Sequence, residues 1–458
     1  MPLGFEDVLL AGLARDGGLF VPETWPTLLP ETIESFAGKS FADVAVEVVL
    51  PFTGGAISRA DLTQMAGEAY ARFDHPNVTP LTQIDENRWI LELFHGPTLA
   101  FKDVAMQLLA RLMDHVLAKR GQRATIIGAT SGDTGGAAIE AFRGSQRVDV
   151  VILFPEGRVS DVQRRMMTTP TDANVHAVAV RGTFDDCQAL VKAMFNDHAF
   201  RDRVGLSSVN SINWARIAGQ VVYYFVAAAA FGAPRRPVSF AVPTGNFGDI
   251  FAGYVAKQMG LPIAQLAIAS NVNDILPRTL ACGAYEMRDV IATASPSMDI
   301  QISSNFERYL FEASGRDAAL IRDMMRSLGE TRRFELGPLK DIMCNDFVAA
   351  AANEDDVAAA IRSLQAARGY LVDPHTACGV VAAERVLEGD APQVILATAS
   401  PAKFPDAMQK ITGKRPELPE RLAGLLTDRE RFETIDNSLA AIEGYVEART
   451  RATIEERG

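Results

Sequence analysis

The sequence predicts an α/β protein with a mostly parallel sheet, and three observations lead to this fold class. From Trp89 onward, short apolar segments alternate with longer segments of helical periodicity. The apolar segments are nearly continuous runs, which is typical of strands that are covered on both faces. Polar, glycine-rich loops follow several of them, and ligands bind at the carboxyl ends of strands in such folds. The 458 residues are enough for two or three domains.

The first elements are helical and lead into the alternating region. Residues 1–85 carry helical patterns that proline and glycine interrupt. Within them, the segment Gly12–Glu23 (GLARDGGLFVPE) predicts a turn that leads into a short apolar strand. "RWILELF", which starts at Arg88, predicts the next strand. A long amphipathic helix follows, because apolar side chains recur at every fourth position. These side chains are Val104, Leu108, Leu112 and Val116.

The remaining elements repeat a pattern of strand, loop and helix. Thr183 is the expected N-cap of one helix, and Gly121 is expected to end the long helix described above. The acidic, arginine-containing segment from Leu418 predicts further helices. The predicted strands are ATIIGA, VDVVILF, NVHAVAV, PVSFAV, AQLAIA and PQVILATA, and the predicted helices include AAIEAF, TFDDCQALVKAMF and IFAGYVAKQM.

Composition excludes several classes of function. The formal net charge of −12 argues against nucleic-acid binding, which needs a clustered positive surface. No apolar run reaches the roughly 20 residues of a membrane span, so we expect no membrane association. The N-terminus has no basic region followed by a long apolar run, and we expect no secretory signal. The four cysteines have no metal-ligand or redox spacing, which favours a reducing, cytoplasmic setting.

One glycine-rich loop, Pro243–Asp249 (PTGNFGD), lies between an apolar strand and a helix. Gly245 and Gly248 allow backbone conformations that other residues avoid, so several N–H groups can point at one anion near a helix N-terminus. A phosphate cradle is the functional interpretation. A tight turn between strand and helix is the structural alternative, and the loop alone favours neither.

A second loop, Gly128–Gly136 (GATSGDTGG), carries Thr130, Ser131, Asp133 and Thr134. It lacks the Lys-Ser/Thr pair of a P-loop and also the G-x-G-x-x-G pattern. Four polar residues of capping type within five positions exceed what one helix cap requires. This loop therefore predicts a site for a carboxylate or phosphate.

A third polar segment starts at Val209 and contains Asn210, Ser211, Asn213 and Arg216. Arginine forms paired hydrogen bonds with carboxylates and phosphates, so an anion site is one interpretation. In isolation, a polar helix start with an exposed arginine is the better one, because most arginines are exposed.

Lys102 stands at the predicted N-terminus of the long helix, after the loop that starts at His95. The helix dipole disfavours an ammonium there and should lower the lysine pKa, and a neutral amine is what a Schiff base requires. Alone, Lys102 would be interpreted as a surface lysine. Together with two anion-binding loops, it predicts a protein that holds pyridoxal phosphate covalently at one end and ionically at the other.

Eight segments, spread in order from Gly12 to Pro405, resemble those of the threonine synthases in their longer form. They are GLARDGGLFVPE, FHGPTLAFKDVAMQ, GATSGDTGGAA, VNSINWARIAGQ, VPTGNFGDIFAG, SNVNDIL, SPSMDIQISSNFERYLFE and ATASPAKFP. The resemblance implies a fold-type-II pyridoxal-phosphate enzyme, similar to the tryptophan synthase β subunit. It also implies an N-terminal extension (1–88), a smaller α/β domain (89–230) and a larger cofactor-binding α/β domain with a helical tail (231–458).

The implied reaction converts O-phospho-L-homoserine and water into L-threonine and phosphate, the last step of threonine biosynthesis. The implied cofactor-binding residues comprise the Schiff-base lysine, a residue near the ring hydroxyl, the phosphate loop and a hydroxyl facing the pyridine nitrogen. The implied substrate-binding residues lie in the second loop and the third polar segment. The cofactor residues are Lys102, Asp133, Gly245, Asn246, Phe247, Gly248, Asp249 and Thr398, and the substrate residues are Thr130, Ser131, Thr134, Asn210, Ser211, Asn213 and Arg216.

One position departs from the family pattern. Relatives often have histidine in the segment TAHPAKF, whereas this chain has Ser400. The nearest alternatives are a threonine dehydratase and a phospholyase that eliminates phosphate without adding water, since both would share the lysine and the glycine loop. A non-catalytic relative and a nucleotide-binding protein are weaker alternatives. Either a monomer or a homodimer is expected.

Overall fold

The computed structural model describes residues 2–452, and thirteen strands lie within this range. Most of the strands are short apolar runs that the surrounding helices bury. The strands are β1 (Leu81–Gln83), β2 (Arg88–Glu92), β3 (Ala124–Ala129), β4 (Val148–Pro155), β5 (Val175–Arg181), β6 (Leu206–Ser207), β7 (Val238–Pro243), β8 (Ile263–Ser270), β9 (Ala284–Glu286), β10 (Arg333–Glu335), β11 (Val348–Ala351), β12 (Gln393–Ala397) and β13 (Glu433–Asp436).

Nineteen α-helices connect and cover these strands within the same range. None of the helices among residues 2–452 is both long and apolar enough to cross a membrane. The helices are α1 (Phe5–Ala11), α2 (Pro30–Glu34), α3 (Phe41–Val49), α4 (Arg59–Tyr70), α5 (Lys102–Arg120), α6 (Asp133–Phe142), α7 (Asp161–Thr168), α8 (Phe184–Asn196), α9 (His198–Arg203), α10 (Trp214–Ala230), α11 (Gly248–Gln258), α12 (Ile275–Cys282), α13 (Phe306–Ala313), α14 (Ala318–Thr331), α15 (Leu339–Asp346), α16 (Glu354–Arg368), α17 (Pro374–Val386), α18 (Pro405–Thr412) and α19 (Leu439–Glu447).

Two sheets organise the chain. The six-stranded sheet has the order β1-β2-β12-β7-β8-β11, and only the β1–β2 pair is antiparallel. The five-stranded sheet has the order β13-β5-β4-β3-β6 and is parallel throughout. The predicted α/β class with mostly parallel sheets is confirmed. A separate antiparallel pair joins β9 and β10.

Strand pairing differs from the predicted ranges at two places. Strand β2 pairs with β12 in the six-stranded sheet, although it was expected to open the smaller domain at residue 89. Strand β13 pairs with β5 in the five-stranded sheet, although helices were expected from Leu418 onward. The chain therefore enters each sheet more than once. Periodicity shows that a strand exists, but it does not show which sheet the strand joins.

Local signals predicted several helix ends correctly. Thr183 forms a capping box with Asp186 at the start of α8, and Gly121 ends α5 in the left-handed conformation with a φ of 64°. The predicted short strand after Gly12 is wrong. The carbonyl groups of Phe20 and Pro22 instead accept hydrogen bonds from the side chains of Arg308 and Arg316. In a strand, these carbonyl groups would accept from the backbone of a neighbouring strand.

Candidate active site

The loop before Lys102 is attached to the carboxyl end of β12. The Leu93 N–H donates to the Ala397 carbonyl at 3.0 Å, and the Phe101 N–H donates to the Thr398 carbonyl at 2.8 Å. The Ser400 N–H donates back to the Leu99 carbonyl at 3.0 Å. These bonds hold Thr398, which is buried, beside the start of α5.

Asp103 fixes the shape of this loop from inside. Its carboxylate accepts hydrogen bonds from the Thr98 N–H at 2.7 Å and from the Thr98 hydroxyl at 2.8 Å. Burial raises the pKa of Asp103 to about 6, and these two hydrogen bonds oppose the rise. A Cβ atom at Gly96 would overlap the Asp103 side chain, so the loop requires glycine there.

Lys102 is the first residue of α5, and its side chain is only 12% exposed. Its Nζ atom lies 3.5 Å from Asp133 Oδ2 and 4.7 Å from the centre of the Phe101 ring. Burial lowers the pKa of Lys102; Asp133 opposes this shift, while Lys403 and Arg216 add to it. The predicted direction is therefore correct, and removal of water by burial is the largest cause of the shift.

Asp133 lies between two lysines. Lys403, which the sequence analysis did not single out, places its Nζ atom 2.7 Å from Asp133 Oδ1 and 2.8 Å from the Thr98 carbonyl oxygen. Gln163 Nε2 also donates to Asp133 Oδ1, at 2.9 Å. Burial would raise the pKa of Asp133, but Lys403 and Lys102 more than offset this, and the pKa falls far below its usual range. The only sequence signal for Lys403 was its place within SPAKFP.

The loop before α6 uses its hydroxyl groups unequally. The Thr130 hydroxyl oxygen accepts from the Gly132 N–H at 2.9 Å and the Gly135 N–H at 3.0 Å, so it shapes the loop. The Thr130 hydroxyl can still donate a hydrogen bond, so its contact with substrate stays a prediction. Ser131 is exposed and Thr134 is half-buried, so both remain open to a ligand.

The glycine loop before α11 presents unpaired N–H groups. Within residues 2–452, no protein acceptor pairs with the N–H groups of Gly245, Asn246, Phe247 and Gly248. Phe247 has a positive φ of 63°, which turns the loop into the helix N-terminus. A Cβ atom at Gly245 would lie 2.7 Å from the carbonyl oxygen of Ser297. This arrangement can hold a phosphate through backbone donors.

Asp249 lies in the first turn of α11, directly after this cradle. Its carboxylate accepts hydrogen bonds from the hydroxyl groups of Tyr223 and Tyr224 on α10. Burial raises the pKa of Asp249 to about 7, against the effect of both tyrosines. Its Oδ2 atom is buried without a partner among the described residues, and the contact of Asp249 with the cofactor stays a prediction. Asp249 thus joins α11 to α10.

The segment before α10 contains a capping asparagine and a partly exposed serine. The Asn213 side chain accepts from the Ala215 N–H and donates to the carbonyl groups of Leu9 and Ser208. Both N–H groups of its amide are used in these bonds, and its contact with substrate stays a prediction. Ser211 and Asn210 remain partly exposed, and Ser211 Oγ lies 3.3 Å from Ser304 Oγ.

Arg216 is a buried cation in the first turn of α10. Its Nη1 atom donates to the Val209 carbonyl at 3.0 Å, while its Nε atom has no partner among the described residues. No described carboxylate lies within ion-pair distance of it. Burial lowers the pKa of Arg216 to about 10. An unpaired buried guanidinium is costly, so its position fits an anion that arrives from outside the chain.

Arg308 is a second buried arginine that the sequence analysis missed. It donates to the Phe20 carbonyl at 3.0 Å, to the Ile212 carbonyl at 2.6 Å and to the side chain of Asn305. It therefore ties the N-terminal region to the segment before Arg216 and to the residues that border the glycine loop. Burial lowers the pKa of Arg308 to about 9.

Comparisons with known families agree with this geometry. The family described as "Pyridoxal-phosphate dependent enzyme" matches residues 73–340, which is more than half of the chain. The families "Threonine synthase N terminus" and "Threonine synthase, C-terminal" match residues 1–70 and 376–446.

Individual relatives match over nearly their full length. A protein from Pseudomonas aeruginosa named threonine synthase is 48% identical, covering 97% of this chain and 95% of its own. The crystal structure of PLP-bound threonine synthase from Brucella melitensis is 59% identical with a TM-score of 0.95, covering 98% of this chain and 97% of its own. The yeast threonine synthase structure is 39% identical with a TM-score of 0.90, covering 97% and 96%. The chain belongs to the threonine synthase family of pyridoxal-phosphate-dependent enzymes.

Proposed function

We propose that this enzyme converts O-phospho-L-homoserine and water into L-threonine and phosphate in the cytoplasm. The substrate assignment rests on one observation: the Arg216 cation is buried and has no acidic partner among the described residues. Its charge acts on Lys102, so a phosphate bound there would lie near the reactive amine. The four unpaired cysteines support a reducing compartment.

The residues present fit pyridoxal phosphate. The unpaired N–H groups from Gly245 to Gly248 would hold its phosphate, and the buried amine of Lys102 would bind its aldehyde carbon. Thr398 would face the ring nitrogen, and Asp133 would lie near the ring hydroxyl. When bound, the cofactor supplies an electron sink for carbanion chemistry at the amino acid.

The chain itself positions the substrate and moves the protons. Ser131 and Thr134, with the N-terminus of α6, would bind the substrate carboxylate, and Ser211 and Arg216 would bind its phosphate. With the cofactor holding the substrate amine, the free Lys102 amine would take a proton from Cα and then one from Cβ. The phosphate would leave from Cγ with the electron pair of the Cγ–O bond. Cγ and then Cα would each gain a proton, and water would add its hydroxyl group at Cβ. Because Arg216 requires an anionic partner, amino acids with uncharged aliphatic side chains are poor substrates, since they would leave Arg216 unpaired.

Product analysis tests the proposal. The purified enzyme with phosphohomoserine should release threonine and phosphate in equal amounts. Release of 2-oxobutyrate with phosphate would instead identify a phospholyase, and 2-oxobutyrate from threonine would identify a dehydratase. Either result in place of threonine formation would contradict the proposed function.

Gly245→Ala is expected to weaken retention of the cofactor by at least about tenfold, or roughly 1.4 kcal/mol. The added methyl group would lie 2.7 Å from the Ser297 carbonyl oxygen and force the phosphate loop to move. Dialysis of the loaded enzyme, followed by cofactor absorbance, measures the loss. Gly67→Ala in α4 is the matched control, because nothing lies within 4 Å of its added Cβ atom. Equal retention of the cofactor by the two variants would contradict the claim that this loop binds the cofactor phosphate.

A further inference from the structure

Lys403 connects three segments of the active site through one ammonium group. It ends the short 3₁₀ turn Pro401–Lys403 that follows β12, and its side chain is 1% exposed. Its Nζ atom donates to the Thr98 carbonyl in the loop before Lys102 and pairs with Asp133 at the start of α6. Ser400 supports this turn by accepting a hydrogen bond from the Ala402 N–H.

Lys102 alone cannot neutralise the Asp133 carboxylate throughout the reaction. Lys102 must lose its proton to attack the cofactor and to act as a base, and its Nζ atom is only 3.5 Å from Asp133. With a neutral Lys102, Asp133 would be a buried carboxylate facing no cation unless Lys403 were present. Such an isolated buried charge is strongly destabilising. Lys403 is closer to Asp133, at 2.7 Å, and nothing in the proposed reaction consumes its charge.

We propose that Lys403 is a positioning residue whose positive charge holds the Asp133 carboxylate in place and repels a proton on Lys102, so that Lys102 can give up its proton. This inference rests on the proposed function, because it assigns Lys102 to the cofactor. The charged groups that face Lys102 from the surrounding elements are Asp133, Lys403, Arg216 and Asp249, and Asp103 faces Lys403. Lys403 and Arg216 repel a proton on Lys102, whereas Asp133 retains it.

The test is a pH titration of the visible absorbance of the loaded enzyme. That absorbance reports the proton on the nitrogen that Lys102 contributes. In Lys403→Met, the nitrogen loses a repelling charge and keeps Asp133 nearby, so the midpoint should rise by about one pH unit. Lys403→Arg preserves the charge and should keep the midpoint within about 0.3 unit of the unmodified enzyme. A folded, loaded Lys403→Met enzyme with an unchanged or lower midpoint would overturn the inference.

A double substitution separates this role from simple support of the loop. If Lys403→Met unfolds the protein or releases the cofactor, the cause should be the uncompensated charge of Asp133. Lys403→Met combined with Asp133→Asn removes both charges and should restore a folded protein with a higher melting temperature than Lys403→Met alone. No recovery in the double variant would overturn the inference. Threonine formation by the unmodified enzyme is measured separately, so failure of the proposed function remains distinguishable.

Discussion

Lys102→Ala should lower kcat/KM for threonine formation by at least about 10⁴-fold, or roughly 5.5 kcal/mol. The substitution removes both the amine that binds the cofactor and the base that moves the substrate protons. No other described amine is placed to substitute for it, because Lys403 is engaged with Asp133 and the Thr98 carbonyl. Steady-state assays measure the activity, and the loss of the lysine-linked absorbance of the cofactor provides a second readout.

Lys119→Ala is the matched control for this substitution. Lys119 lies in the last turn of the same helix, and its ion pair with Glu6 is on the surface. Such pairs contribute about 1 kcal/mol or less, so activity and absorbance should remain close to normal. If Lys102→Ala retained more than about 1% of the activity while folded, the assignment of Lys102 would be contradicted.

Arg216→Met should lower kcat/KM for phosphohomoserine by at least about 100-fold, or roughly 2.7 kcal/mol. The guanidinium is buried, and its Nε atom has no partner among the described residues, so this donor and the positive charge are available to the substrate phosphate. Methionine fills similar space without charge, and the substitution leaves the residues of the glycine loop unchanged. Cofactor absorbance should therefore persist while use of the substrate fails.

Arg111→Met provides the comparison for loss of an arginine. Arg111 is half-buried on α5 and donates to Gln107 within the same helix. It lies outside the cofactor and substrate segments, so kcat/KM should change by less than about threefold in that variant. A loss below about tenfold in Arg216→Met, or a parallel loss of cofactor, would count against the phosphate-binding role of Arg216.

The sequence predicted the parts of the site that depend on local pattern. Apolar runs between loops predicted the buried strands, and the residues that follow β7 predicted the glycine loop. Lys102 was identified because a helix start, two anion-binding loops and the family resemblance agreed. Thr183 and Gly121 were predicted because a helix cap depends on only a few neighbouring residues.

The features that were missed depend on contacts between distant segments. Lys403 and Asp133 are far apart in the chain, and nothing near either residue shows that they form an ion pair. In the sequence, Arg308 resembles any polar residue of an amphipathic helix. Its role depends on the Phe20 carbonyl group, which lies close to it only in the folded chain. The capping role of Asn213 was missed because a capping asparagine and a ligand-binding asparagine have the same local sequence. The sheet membership of β2 and β13 likewise follows from the path of the whole chain.

The central claim is that phosphate leaves by breaking the bond between Cγ and oxygen, and that water then adds at Cβ. Turnover of phosphohomoserine in ¹⁸O-labelled water tests both parts in one experiment, read by mass spectrometry of the products. We expect one ¹⁸O atom in the hydroxyl group of threonine and none in the released phosphate. Label in the phosphate, or threonine without label, would contradict the account.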